Sequence, residues 1–243
     1  MGSALSLDLD KYIYPVPQSS YKPTSFPELK FIDEDPYLHI TPPGARYVMF
    51  YCHGNEEDLG MIYPTIKYLA FQLKINVIAI EYPGYGFCKG KCNEISLYRQ
   101  VSKVFNIFKH IYPHNKIILA GRSMGCAPMI HLATKNTSLA AVILISPYSS
   151  LKDVITDKYG TIPSSLIKEK FPNQELIGYI KTPIIIIHGK KDEIVDYHHS
   201  MKLLKNVTYQ YKKGYTIDDM GHNDVFERNN IDKIIMIIKH HLV

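Results

Sequence analysis

The 243 residues contain no tryptophan, an absence that excludes little, and only four cysteines: Cys52, Cys88, Cys92 and Cys126. So few thiols in a chain of this size do not make a disulfide framework, and reduced cysteines in a cytoplasmic setting are expected. No two of them form a C-x-x-C pair, and no histidine beside Cys88 and Cys92 completes a zinc site. The sequence lacks any run of about 18 apolar residues, the length a membrane-crossing helix needs. Its start lacks the basic region and apolar core of a secretory signal. The net charge is only +5, and no basic run is interleaved with aromatics, which argues against a nucleic-acid groove.

Hydrophobic residues make up 46% of the chain and charged residues 21%, a globular balance. Residues 1–43 are rich in Pro, Tyr and Ser and read as a segment wrapping the surface, with short strands near Leu29–Ile32 and Tyr37–Ile40. From Arg46 onward strand and helix patterns alternate. Apolar runs at Tyr47–Tyr51, Ile75–Ile80, Ile117–Leu119, Ala140–Ile145 and Ile184–Ile187 predict strands, with a shorter one at Val207–Tyr211. Helical spacing predicts helices over Leu59–Leu73 (Pro64 in its first turn), Ile95–Ile111, Ala127–Thr134 and Ile231–His241. This order predicts an α/β fold as one domain over 1–243, a mostly parallel sheet with helices on both faces. Residues 148–180 break the rhythm and are expected to form a small lid.

The most informative string is Gly121-Arg122-Ser123-Met124-Gly125, set between an apolar strand and a helix. A serine flanked by glycines at a strand-to-helix turn is the pattern of a nucleophile elbow, with Gly121 and Gly125 leaving room for the turn. A serine hydroxyl needs a base, and the base an orienting acid. Asp192 follows the strand Ile184–Ile187, where sites form at the C-terminal edge of a parallel sheet. His222 lies in the loop Gly221-His222-Asn223-Asp224 before the last helix. Each residue alone reads blandly, Asp192 as a helix cap and His222 as a surface histidine; their joint order favours a triad. Asp196, Asp218 and Asp219 are alternative acids, with Asp192 ranked first for its closeness to the strand. Met124 N–H and Asn55 N–H, the latter in Cys52-His53-Gly54-Asn55, are the expected oxyanion donors. His53 is expected to brace its loop, Glu81 to Gly86 to form a rigid turn, and His188 to be structural. His198 and His199 are expected at the surface.

These strings, with Pro42 to Tyr47, Asp58-Leu59-Gly60-Met61 and Ser146-Pro147, resemble the type 17 α/β-hydrolase-domain proteins from about residue 42 onward. The resemblance implies the α/β-hydrolase fold and a serine hydrolase removing palmitoyl groups from proteins. It carries the roles of nucleophile, acid and base onto Ser123, Asp192 and His222, and implies no metal and no cofactor. It also implies a tether through an acylated N-terminal cysteine cluster, which this chain lacks before Cys52. Gly2, followed by Ser6, fits the myristoylation pattern instead and would bring the chain to the cytoplasmic face of a membrane. A single such chain gives only weak, reversible attachment. The expected partner is an acylated protein or a small acyl ester, and a monomer is expected. The alternatives are a carboxylesterase or lipase, a peptidase, and a catalytically silent hydrolase-fold binding protein.

Overall fold

The computed structural model describes residues 13–161, 167 and 171–242; Gly2 and residues 162–166 and 168–170 of the expected lid lie outside them. In chain order the elements are β1 (Leu29–Ile32), β2 (Asp35–Ile40), β3 (Val48–Cys52), α1 (Leu59–Leu73), β4 (Asn76–Ile80), α2 (Glu94–Phe108) and β5 (Ile117–Arg122). There follow α3 (Cys126–Lys135), β6 (Ala141–Ile145), α4 (Leu151–Tyr159), α5 (Asn173–Leu176), β7 (Ile184–Gly189), α6 (His198–Asn206), β8 (Lys212–Ile217) and α7 (Arg228–Leu242). The strands form one sheet in the order β1-β2-β4-β3-β5-β6-β7-β8. β1 and β2 run antiparallel at one edge, and every pairing from β4 to β8 is parallel.

β3, β5, β6 and β7 are buried along their whole length, which explains their unbroken apolar runs. Alternate side chains leave opposite faces of a strand, so each run feeds two cores. Phe50, Ile78, Leu119, Leu144 and Ile186 pack on one face with Val101, Phe105 and Ile130 of α2 and α3. Met49, Val77, Ile118, Ile143 and Ile185 pack on the other with Ile62, Ile66, Leu69 of α1 and Ile231, Ile234, Ile238 of α7. The helix starts are set locally. Asp58 accepts the Met61 N–H at 2.9 Å, and Asn93 and Ser96 cap α2 reciprocally.

The Pro- and Tyr-rich segment is pinned by buried polar anchors. Tyr21 Oη donates to Glu81 at 2.9 Å, and the Ser20 N–H donates to Asp58 at 2.6 Å. Tyr14 and Tyr21 are themselves buried.

Three expectations are corrected. Pro64 is the sixth residue of α1, in its second turn, where its missing N–H leaves the Gly60 carbonyl without the usual helical partner. The strand expected at Val207–Tyr211 is instead the end of α6 and a loop: the Val207 N–H bonds the Leu203 carbonyl at 3.2 Å. The eighth strand is Lys212–Ile217, mostly exposed at the sheet edge, where lysines and a glycine replace an apolar signal. His199, expected at the surface, is 1% exposed.

Phe105 is fully buried and meets Phe50 edge-on at 5.0 Å between ring centres. Phe105→Ala is expected to lower unfolding free energy by about 3–5 kcal/mol, read from urea denaturation followed by circular dichroism.

Candidate active site

The loops that follow β3, β5, β7 and β8 converge on the C-terminal edge of the sheet. β5 ends at Arg122, and the chain turns at once through Ser123–Gly125 into α3. Ser123 has φ +49°, a left-handed conformation that serine adopts only when its surroundings impose it. The imposing contacts are backbone on backbone. A Cβ at Gly125 would overlap the Cys52 and His53 carbonyls, and one at Gly121 would overlap the Gly125 carbonyl. Glycine therefore allows the turn to press against the end of β3, leaving the Ser123 side chain to point away from the sheet.

His222 Nε2 lies 3.0 Å from Ser123 Oγ, and His222 Nδ1 lies 2.8 Å from Asp192 Oδ2. All three residues are buried. With Nδ1 donating to the carboxylate, a neutral ring presents its Nε2 lone pair to the serine hydroxyl. Asp192 is held by more than His222. Its Oδ1 accepts the N–H groups of Ile194 at 3.1 Å and Val195 at 2.8 Å. Asp192 thus makes the cap-like bonds of the bland reading and the contact to His222 with different oxygens. His188 Nε2 stands 3.2 Å from Oδ2 and 2.8 Å from the Val195 carbonyl, so it carries a proton shared between two acceptors. Burial alone would push the Asp192 carboxyl up; the hydrogen bonds from His188, His222 and Val195 hold it well below the usual carboxylate range.

The loop expected to supply the second oxyanion donor is braced on both sides. Asn55 donates from Nδ2 to the Ile13 carbonyl at 2.9 Å and accepts from Tyr85 Oη at 2.9 Å. His53 Nδ1 meets the Gly54 carbonyl and Nε2 meets Glu81, both at 2.9 Å. Both partners only accept, so both ring nitrogens donate and the ring is an imidazolium. Burial would push its pKa down, but hydrogen bonding and the charge of Glu81 raise it overall. His53 is thus a brace without a lone pair to act as base. Cys126, beside the elbow, is buried, and burial pushes its thiol pKa up, away from nucleophilic use.

Arg122 is a residue whose role was not read from the sequence. It is 5% exposed. Its Nη1 donates to Glu57 Oε1 at 2.8 Å and its Nη2 to the His222 carbonyl at 2.5 Å. Glu57 in turn accepts the Gly54 N–H at 2.6 Å. One guanidinium therefore ties the histidine loop to the loop after β3. The available signal was a charged residue at the end of an otherwise apolar strand.

A family described as serine aminopeptidase, S33, matches residues 43–176, more than half of the chain. The chain belongs to this family. Its members are hydrolases, and the fold here is that of the α/β-hydrolases. The protein is 32% identical over 185 residues to alpha/beta hydrolase domain-containing protein aho-3 of Caenorhabditis elegans, covering 75% of this chain and 54% of that one. It is 32% identical over 186 residues to human alpha/beta hydrolase domain-containing protein 17B, covering 75% of this chain and 62% of the human one. The chain thus spans less than two thirds of the length of these curated relatives. Among solved structures, a Pyrococcus furiosus esterase superposes with TM-score 0.70 at 18% identity, covering 94% and 95% of the two chains. Mouse alpha/beta hydrolase domain-containing protein 10 superposes with TM-score 0.67 at 18% identity, covering 87% and 97%. At that identity they speak for the fold alone.

Two outcomes follow for this member of the S33 family. Arg122→Lys keeps the charge but loses the fork that reaches two loops. Turnover of a p-nitrophenyl ester is expected to fall about 10- to 100-fold with KM little changed, read from steady-state kinetics. The second outcome concerns acid stability. A carboxyl depressed in the folded state stabilises fully above its unfolded pKa, near about pH 4, and loses that contribution as pH falls further. Asp192→Asn should flatten this part of the acid slope in urea unfolding measured from pH 6 downward to about pH 2.

Proposed function

We propose that the protein is a serine hydrolase that cleaves acyl thioesters or esters, with S-palmitoyl groups on proteins as its substrates. The observation that carries this is the hydrogen-bonded line from Ser123 Oγ through His222 to Asp192. Ser123 Oγ attacks the acyl carbonyl while His222 Nε2 takes its proton. Asp192 keeps the imidazole oriented and stabilises it once charged. The N–H groups of Met124 and Asn55 receive the oxyanion of the tetrahedral intermediate. His222 returns the proton to the leaving thiol or alcohol, which departs and leaves an acyl-serine. Water, deprotonated by His222, then releases the fatty acid and restores the serine. No metal or cofactor enters these steps.

The fatty-acyl choice rests on the resemblance to the type 17 α/β-hydrolase-domain proteins, of which human protein 17B is 32% identical to this chain. Acylation at Gly2 would place such an enzyme beside membrane-bound substrates. A second reading is hydrolysis of small esters, for which the same line of Ser123, His222 and Asp192 would serve.

A fluorophosphonate probe should label the wild type and leave Ser123→Ala unlabelled; full labelling of the variant would sink the nucleophile assignment. In a panel of S-palmitoyl peptide, p-nitrophenyl butyrate and an aminoacyl anilide, the peptide thioester should give the highest kcat/KM. Preference for the butyrate would favour the small-ester reading, and preference for the anilide a peptidase.

A further inference from the structure

Away from Ser123, the last turns of α4 and the start of α6 bring together Asp157, His198 and His199. Their ligand atoms all lie within 4.8 Å of one another. His198 Nε2 and His199 Nε2 each stand 3.0 Å from the same oxygen, Asp157 Oδ2. The two rings stack with centres 4.3 Å apart.

The outer partners decide which ring nitrogens carry protons. His198 Nδ1 lies 3.0 Å from Asp196 Oδ1, a carboxylate that can only accept, so Nδ1 donates. Ser149 Oγ lies 2.5 Å from Asp153 Oδ2 and gives its single proton there. The same Oγ is 2.8 Å from His199 Nδ1 and can therefore only accept from it. The Ser149 backbone N–H approaches that nitrogen at 3.3 Å, the longer and weaker contact. As at His53, each contact of Nε2 with a carboxylate oxygen at 3.0 Å needs a positive centre, which a ring proton or a bound cation in its place supplies.

We propose that Asp157, His198 and His199 form a binding site for a divalent ion of the zinc class, which clamps α4 onto α6. The donor set of two imidazole nitrogens and one carboxylate oxygen suits zinc and excludes the all-oxygen preference of calcium and magnesium. Ligands about 2.0–2.2 Å from a tetrahedral zinc lie roughly 3.4 Å apart, so the nitrogen–oxygen separations need widen by only a few tenths of an ångström. The outer hydrogen bonds, Asp196 on His198 and Ser149 on His199, are those that orient metal-binding histidines. His199 is buried, whereas the side chains of His198 and Asp157 are 39% and 41% exposed, which leaves an entry path. The site does not contact the serine chemistry. It joins the expected lid to α6, whose Ser200 meets His188, the neighbour of Asp192.

The test is a Zn2+ titration of chelator-treated full-length protein against a chromogenic competitor. One equivalent is expected to bind with a Kd at or below the micromolar range, and Asp157→Asn and His198→Ala should each weaken it by about tenfold or more. Circular dichroism checks that both variants fold; their half-exposed positions favour this. His240 and His241 adjoin at the C-terminus and could hold zinc adventitiously, which is why the variants are needed. Co2+ bound to the unaltered protein supplies a readout independent of folding in the variants: visible absorption with four-coordinate intensity. Zn2+ should also raise the melting temperature of the wild type and of neither variant. Absence of Zn2+ binding, cobalt absorption without four-coordinate character, or binding that survives either substitution would overturn the proposal.

Discussion

The candidate active site hangs on one close approach of backbone to backbone. Gly125 lies against the carbonyls that end β3, and Gly121 lies against Gly125. No side chain fits in either place. That contact holds the start of α3 against the neighbouring strand and forces Ser123 to φ +49°. The sheet supplies the rigidity that makes the strain sustainable, because β5 is paired on both sides and buried throughout. The position of Ser123 is thus set by the core of the fold and not by a mobile loop.

Around this fixed point the polar groups form two linked braces. One runs from His188 and two backbone N–H groups to Asp192, then to His222. It commits the carboxylate to its charged form and the ring to one tautomer. The other runs from Gly54 through Glu57 and Arg122 to the His222 carbonyl. It ties the loop that carries His222 to the loop that carries Asn55. Under that loop the His53–Glu81 pair is fully buried and hydrogen-bonded on both sides. Such a pair is costly to break, since loss of one partner strands a buried charge. Both braces hold the groups around Ser123 in fixed positions.

The expected lid is where the braces thin out. α4 has no fully buried residue: Leu151 and Val154 pack on the core while only partly buried, and Asp153 and Asp157 add polar contacts to α6. Such a helix has limited hydrophobic anchorage, so a bound ion there would matter more than at a fully packed helix.

The sequence by itself determined the layered fold and pointed to Ser123, Asp192 and His222, which the structure places side by side. Apolar runs mark strands buried on both faces, helical spacing marks the covering helices, and the glycine-flanked serine between them marks the turn. These are local patterns, legible because each reflects backbone geometry within a few residues. The reading failed where local pattern and environment part. β8 is an edge strand with lysines, so it lacks an apolar signature, while the apolar Val207 ends a helix. His199 looks polar and sits in the interior because Ser149, 50 residues earlier, meets it there. Only the tertiary structure decided that His222 reaches Ser123 across 99 positions, and that Arg122 bonds the His222 carbonyl across 100. Such contacts depend on how strands are ordered in the sheet, and strand order is a property of the whole chain's packing that no short segment encodes.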